Sequence, residues 1–264
     1  MKSLIILKIG GNVIDEPSTL ENVLCNFADW QGDKILVHGG GKIASKLMTQ
    51  LGILPQMVDG RRITNRDTLD VVTMVYAGLI NKNIVATLQR RSCNAIGLTG
   101  ADANLIPAKK RPIKDIDYGF VGDVKPECIS TYCLTELLKT GLTPVMAPIT
   151  HDGAGMLLNT NADTIASSIA VALAKTFHVQ LVFCFEKNGV LRDTNDEQSV
   201  IDFLDESLFR SYRNEGIITA GMIPKLEGAF TALRNGVAEV RICSPAGLKS
   251  GNWGGTCIKT RKND

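Results

Sequence analysis

Short apolar runs alternate with helical patterns along the whole chain, and this alternation limits the fold more than any other feature of the sequence. Several of the runs are continuously apolar, which is typical of strands covered on both faces. Strands are predicted at residues 4–9, 34–38, 95–98, 144–147, 180–185, 239–243 and 256–259, and helices at residues 43–51, 66–81, 131–140, 162–175, 206–213 and 223–235. This order predicts an α/β fold with a mainly parallel central sheet and helices on both faces.

Two departures from the alternation suggest how the chain is organised. Residues 102–130 contain turns and short strands, and we interpret them as a hairpin excursion. A soft boundary near residue 176 divides the chain into an N-lobe, residues 1–176, and a C-lobe, residues 177–264. The helix at 162–175 would bridge the two lobes.

Charge and cysteine content exclude several classes of protein. Lys and Arg number 29 and Asp and Glu number 27, which is too even a balance for an obligate nucleic-acid binder or a polybasic membrane protein. No apolar run approaches the roughly 18 residues of a membrane span, and the N-terminal run is too short for a signal peptide. Seven scattered cysteines without a C-x-x-C spacing predict reduced, mostly buried thiols in a cytoplasmic protein, and predict no disulfide framework and no zinc site.

Two glycine clusters each follow a predicted strand. Gly10 and Gly11 follow the strand at 4–9, and a run of three glycines that includes Gly40 and Gly41 follows the strand at 34–38 and opens a helix. Such turns expose backbone N–H groups, and the helix N-terminus adds positive potential. The pair therefore predicts an anion site at the carboxyl edge of the sheet, the alternative being that the glycines only permit tight turns. The Walker A and G-x-G-x-x-G patterns are absent.

Two polar segments, residues 159–163 and 217–225, interrupt apolar sequence. Asp163 is either a site carboxylate or the last member of a capping box that begins three residues earlier. Pro224 suits the first position of a helix, and the Lys225 that follows it would oppose the helix dipole. An anionic partner would explain that lysine, the alternative being a solvated side chain.

Six short motifs occur in a specific order along the chain. They are Lys8-x-Gly-Gly, His38-Gly-Gly-Gly, Gly60-Arg-Arg-Ile-Thr, Tyr118-Gly-Phe-Val-Gly-Asp-Val, Asn159-x-Asn-Ala-Asp and Gly221-Met-Ile-Pro-Lys. Together they resemble the amino-acid kinase family, and within it the N-acetylglutamate kinases, over residues 4–258. The resemblance implies an open αβα sandwich in which the N-lobe binds an acylated glutamate and forms a homodimer, while the C-lobe binds ATP.

The resemblance also implies roles for individual residues. Lys8 and Lys225 would grip the transferring phosphoryl group, and Asp163 would orient both lysines. The residues expected at the substrate acid are Gly40, Gly41, Arg62 and Asn159, and those expected at the nucleotide are Gly10 and Gly11. Glu186 and Asn188 lie in a segment that departs from the family's pattern, and they are candidates for binding the ribose or a phosphate. Mg²⁺ would be held mainly by the ATP phosphates, so no protein metal ligand is predicted.

The implied reaction converts the γ-carboxylate of an N-acyl-L-glutamate to an acyl phosphate in arginine biosynthesis. This carboxylate is ionised at neutral pH, so no general base is needed. The site must instead supply fixed N–H donors and cations, because charge spreads over the phosphoryl group in the transition state.

Several alternatives stay open. Arg61 stands where the family usually has an uncharged residue, and it either binds a carboxylate on the acyl group, as in N-succinylglutamate, or is a solvated or structural arginine. The basic run 109–111 is interpreted as loop surface.

The chain is alternatively a kinase of aminoadipate or glutamate borne on an acidic carrier protein, or a non-catalytic member that binds nucleotide or phosphate. The chain begins shortly before the first motif, from which a homodimer without arginine feedback is expected, with the helix around 69–80 either at its interface or fully buried.

Overall fold

An eight-stranded sheet runs through the centre of the computed structural model, which describes residues 1–58, 60–218, 221–249 and 252–260. In chain order its strands are β1 (Ser3–Ile9), β2 (Asp33–His38), β3 (Ala95–Leu98), β4 (Thr143–Met146), β5 (His178–Cys184), β6 (Phe203–Leu204), β7 (Glu239–Cys243) and β8 (Thr256–Ile258). They lie in the order β6-β8-β7-β5-β1-β2-β4-β3, and only β7 and β8 are antiparallel. The mainly parallel α/β sheet and the positions of its predicted strands are thereby confirmed. The two-residue strand β6 was not predicted.

Helices cover both faces of this sheet. They are α1 (Gly11–Asp15), α2 (Pro17–Asp29), α3 (Gly41–Gln50), α4 (Arg66–Thr73), α5 (Asn81–Arg90), α6 (Thr131–Lys139), α7 (Ala162–Leu173), α8 (Glu206–Asn214) and α9 (Ile223–Arg234). Sequence reasoning missed α2, although Val23, Leu24 and Phe27 are buried at helical spacing and Pro17 stands at its first position.

The two faces of the sheet carry separate hydrophobic clusters. Leu4 and Ile6 of β1 pack on the side of α7 and α9, whereas Leu7 and Ile9 pack on the side of α2 and α3. Both clusters include residues from before and after residue 176, and β5 pairs with β1 along its whole length. The sheet is therefore continuous across the expected boundary, and the division into two lobes stays a prediction.

One long helix, Arg66–Arg90, combines α4 and α5 with a π-helical segment, Met74–Ile80, between them. The predicted end at residue 81 was therefore wrong. By length and composition alone this helix passes a test for a membrane span, a test that a buried core helix also passes, and no uninterrupted apolar run in it approaches 18 residues. Its side chains Val72, Ile84 and Leu88 are buried against the sheet, as in the core helix of a globular protein.

Short antiparallel hairpins stand apart from the main sheet. Three of them are Met57–Val58 with Arg61–Arg62, Ala108–Lys110 with Gly122–Val124, and Ile149–His151 with Leu157–Asn159. The second confirms the hairpin excursion at 102–130. The others were not predicted, because strands of two or three residues carry too little periodicity.

All seven cysteines are free thiols. Cys93, Cys184 and Cys243 are buried while the others are partly or fully exposed, so the prediction of mostly buried thiols was wrong. Hydrogen bonding to Cys243, together with burial, raises the pKa of Cys184, which keeps this thiol protonated.

Candidate active site

Lys8 places a buried positive charge near the carboxyl end of the central strand. It shares a face of β1 with Leu4 and Ile6, because alternate strand residues point to the same side, and it is only 8 % exposed. Its Nζ lies 2.7 Å from Oδ1 of Asp163 in the first turn of α7. The contact is an ion pair, since the two groups are not aligned as a hydrogen bond. Pairing offsets the cost of burying the ammonium group and fixes both charges in place.

The first turn of α7 is capped by Asn161. Its side-chain oxygen accepts hydrogen bonds from the N–H groups of Asp163 at 2.8 Å and Thr164 at 3.2 Å. The capping-box alternative is wrong, because the Thr160 hydroxyl contacts the Thr150 hydroxyl at 2.8 Å instead. The carboxylate of Asp163 is therefore left to pair with Lys8.

The two glycine turns lie side by side at the same edge of the sheet. The N–H of Gly10 donates to the carbonyl of Cys184 at 3.0 Å, and its expected contact with phosphate stays a prediction. Gly11 and Gly41 are the first residues of α1 and α3, and within the described residues their N–H groups have no backbone acceptor. Gly40 has φ +144°, and a Cβ there would lie 2.2 Å from Ile80 Cδ1. Only glycine fits this turn.

A buried histidine supports the second turn. His38 has Nε2 3.2 Å from the Asn81 amide nitrogen and Nδ1 2.8 Å from the Gly39 carbonyl. Because the amide donates to Nε2, Nδ1 carries the proton and donates to Gly39. Burial lowers the pKa of His38 to about 4, so the ring is neutral and acts as a fixed brace for the backbone of the turn.

Arg62 is a buried cation held by uncharged acceptors. It is 7 % exposed, and its Nη2 donates to the Gly41 carbonyl at 2.8 Å and to the Ser45 hydroxyl at 2.9 Å. Tyr76 lies close to the same guanidinium, and burial raises the pKa of that phenol while Arg62 opposes the rise. Within the described residues no carboxylate pairs with Arg62. Such a site favours an anionic ligand.

Asn159 joins two of the hairpins next to Arg62. Its amide nitrogen donates to the hydroxyl of Thr64 at 3.0 Å, and that hydroxyl donates to the Arg62 carbonyl at 3.1 Å. Val121 forms a parallel bridge with Asn159. The buried amide is thereby tied to the backbone of Arg62, and both residues line the same cleft.

Two clefts meet at these residues. The smaller, of about 550 Å³, is lined by glycines of both turns and by Lys8, Arg62 and Asn159. The larger, of about 970 Å³, runs between α7 and α9 and includes Lys225 and Phe185. The residues that line both are Arg61, Asn161, Asp163 and Thr164. The ion pair of Lys8 therefore lies at the junction of two chambers, and both volumes fall within the range of small-molecule binding sites.

Comparison with known proteins shows the same combination of sequence and fold. The sequence profile described as "Amino acid kinase family" matches residues 3–244. The chain belongs to the amino acid kinase family. It is 55 % identical to an acetylglutamate kinase of Phocaeicola vulgatus, with 98 % of this chain and 99 % of that protein covered. It is 56 % identical to an acetylglutamate kinase of Cytophaga hutchinsonii, with 94 % of each chain covered. The solved structure of smu.665 from Streptococcus mutans superposes with a TM-score of 0.76 at 28 % identity, covering 98 % of this chain and 99 % of that one.

In this amino acid kinase, Lys225 forms no ion pair with Asp163 or any other carboxylate of the described residues. It is exposed near the start of α9, with Nζ 4.1 Å above the ring of Phe185, and it shares the larger cleft with Asp163. Pro224 was predicted to be the first residue of its helix, but it is the second residue of α9. Thr219 and Ala220 of the predicted polar segment lie outside the described residues. The expected position of Lys225 at the phosphoryl group stays a prediction.

Glu186 and Asn188 follow β5 but line neither cleft. Glu186 is exposed, and Asn188 accepts a hydrogen bond from the Ser244 hydroxyl at 2.8 Å. Their expected role at the nucleotide stays a prediction.

Sequence reasoning did not single out three side chains that line the smaller cleft, namely Ser45, Tyr76 and Arg111. No local pattern marks Ser45 or Tyr76, because α3 and the π-helical segment bring them to the site from separate parts of the chain. Arg111 belongs to the basic run that was interpreted as loop surface, and for this residue that interpretation was wrong.

Proposed function

We propose that this chain catalyses the ATP-dependent phosphorylation of the γ-carboxylate of an N-acyl-L-glutamate, either N-acetyl- or N-succinyl-L-glutamate, to give an acyl phosphate and ADP. One observation carries the proposal: the Lys8–Asp163 ion pair lies where a cleft with an unmatched buried guanidinium meets a larger cleft lined by a second lysine. The names of relatives that align over nearly the whole chain support the same reaction.

In this reaction the acid lies in the smaller cleft. Arg62 and Asn159 bind its α-carboxylate, since the guanidinium is already oriented by Gly41 and needs an anion. The N–H groups of Gly40 and Gly41 face the γ-carboxylate. That carboxylate is ionised at neutral pH and attacks the γ-phosphorus of ATP directly, while the bond from this phosphorus to the β–γ bridging oxygen breaks. No proton needs to be removed.

The two lysines are assigned to the transferring phosphoryl group. Lys8 and Lys225 oppose the negative charge that spreads over its oxygens, and Asp163 holds Lys8 in place so that little reorganisation is needed in the transition state. A positioned cation in a partly dry cleft is worth far more than the same cation in water.

The nucleotide is assigned to the larger cleft. Phe185 and Val171 provide apolar walls there, and Gly11 offers a backbone donor at the junction. Glu186 and Asn188 are retained as candidates for the ribose or a phosphate. When bound, Mg²⁺ neutralises phosphate charge, and we assign it to the ATP phosphates. Within the described ranges no group of three or more His, Cys, Asp or Glu side chains is close enough to bind a metal.

We further propose that this enzyme acts in arginine biosynthesis, in the cytoplasm, as a homodimer with neither nucleic acid nor membrane as a partner. Met74 and Leu79, both more than half exposed on the long helix, provide an apolar surface that supports pairing with a second copy. Sedimentation of the purified chain at micromolar concentration is expected to give a dimer, and a monomer would reject this part of the proposal.

Trapping of the acyl phosphate tests the reaction. The chain is incubated with ATP, Mg²⁺, hydroxylamine and one acid at a time, and the hydroxamate is measured. Product is expected with an N-acylglutamate and not with free glutamate or aminoadipate. Absence of product with every N-acylglutamate would overturn the proposal, and product only with a carrier-bound acid would favour the carrier-linked kinase.

A further inference from the structure

Three guanidinium groups line the smaller cleft, those of Arg61, Arg62 and Arg111. An N-acetylglutamate offers only two carboxylates, and one of these is the nucleophile. The acetyl group ends in a methyl, which gives a guanidinium nothing to bind. The number of cationic groups therefore exceeds what this acid uses.

Arg62 is matched by the α-carboxylate in the proposed function. The γ-carboxylate must stay free to attack phosphorus, so guanidinium groups that neutralised it would lower its reactivity. Arg61 and Arg111 are then left without a partner on the substrate. The question is what group these two side chains bind.

Arg111 is anchored by one carboxylate and keeps one buried nitrogen without a partner in the described part of the chain. Its Nε lies 3.0 Å from Asp123 Oδ1, and its Nη2 also contacts this carboxylate, whereas its Nη1 is buried and has no acceptor within the described residues. Its Cζ lies 5.3 Å from the centre of the Tyr118 ring. A buried guanidinium N–H without an acceptor is unfavourable, which is a reason to expect a ligand there.

The backbone places Arg111 close to the α-carboxylate site. Its N–H donates to the Val121 carbonyl at 2.8 Å, and Val121 forms a bridge with Asn159. Val121 therefore lies between the backbone of Arg111 and the backbone of Asn159, whose amide is assigned to the substrate. Arg61 approaches from another hairpin, is exposed, and within the described residues forms no ion pair.

We propose that the preferred substrate carries a third carboxylate, at the end of its acyl group, and that Arg61 and Nη1 of Arg111 bind it. This inference rests on the proposed function and selects N-succinyl- over N-acetyl-L-glutamate. The cleft of about 550 Å³ has room for the longer acyl chain. The new carboxylate provides the acceptor that Nη1 lacks.

The decisive comparison separates charge from chain length. Steady-state kcat/KM is measured for N-succinylglutamate and for the derivative in which the terminal carboxylate is replaced by the neutral carboxamide of the same size. Hydrogen bonds to charged groups contribute about 1.5–3 kcal/mol, so the carboxylate is expected to be favoured by roughly 10- to 150-fold. N-acetylglutamate is measured beside them.

Variants assign the selectivity to the two arginines. Arg61→Gln and Arg111→Lys are each expected to lower the ratio of the two kcat/KM values about tenfold or more. The lysine keeps a charge for Asp123 but removes Nη1, so the hairpin stays anchored. Arg210→Gln, on the exposed face of α8 next to Glu206, is the matched control and is expected to leave the ratio unchanged.

The outcomes distinguish the two levels of the proposal. Equal kcat/KM for the carboxylate and the carboxamide, with good turnover of N-acetylglutamate, would overturn the inference and leave the kinase reaction standing. A ratio that persists in both arginine variants would also overturn it. No product from any of the three acids would overturn the proposed function itself.

Discussion

Substitution of Gly40 by alanine is expected to destabilise the fold by about 2–6 kcal/mol. Two costs add. The backbone at φ +144° is one that side chains rarely adopt, which costs about 1–3 kcal/mol. The new Cβ would lie 2.2 Å from Ile80 Cδ1 and 3.2 Å from the Tyr76 ring, and overpacking of this kind costs about 1–3 kcal/mol more.

The chain provides a matched control for this substitution. Gly141 also has a positive φ, +79°, but a Cβ there meets nothing within 4 Å. Gly141→Ala is therefore expected to cost only the backbone term, about 1–2 kcal/mol. The difference between the two variants combines the contact with the π-helical segment and any difference in backbone cost, and a double-mutant cycle separates the two.

Urea denaturation followed by far-UV circular dichroism gives both free energies of unfolding. A double-mutant cycle with Ile80→Ala is expected to show a coupling of about 1–3 kcal/mol, because the smaller side chain makes room for the new Cβ. The KM for the acid should also rise in Gly40→Ala, since the turn lines the smaller cleft. If Gly40→Ala costs no more than Gly141→Ala, the close approach of helix and turn is refuted.

Three further predictions concern the site. Lys225→Ala is expected to keep the fold and lower kcat by on the order of 10²–10³, with the exposed Lys139→Ala as control; near-normal turnover would remove this lysine from the reaction. His38 has a pKa of about 4 against its usual 6.5, so the unfolded chain takes up a proton that the folded chain does not as pH falls through this range. Stability is therefore expected to drop by up to about 3 kcal/mol between pH 6.5 and 4, and His38→Gln should remove that part of the dependence in pH-resolved denaturation. Tyr76→Phe removes the buried hydroxyl that interacts with Arg62 and is expected to raise the KM for the acid about two- to tenfold while the KM for ATP stays constant; an equal rise in both would argue against a positioning role.

The fold class and most elements of the sheet were predictable because their signals are local. Continuous apolar runs of four to six residues and the glycines behind them mark strands and turns without knowledge of the partner strand. The missed α2 had such a signal as well. In contrast, no sequence pattern marks the π-helical segment. Its residues are almost all apolar, so the spacing of apolar residues does not distinguish a π-helix from an α-helix.

The sequence by itself placed the glycine turns at one edge of the sheet, and its resemblance to a known family led us to expect Lys8 and Asp163 together. Only the tertiary structure decided the hydrogen bonds and the unmatched charges around them. Asp163 pairs with Lys8 because Asn161 caps α7, the Gly10 N–H donates to β5, and Arg111 comes from a distant hairpin to join Arg61 and Arg62. The physical reason is that hydrogen-bond partners and unmatched charges depend on distances between segments far apart in the chain, and no local pattern encodes those distances.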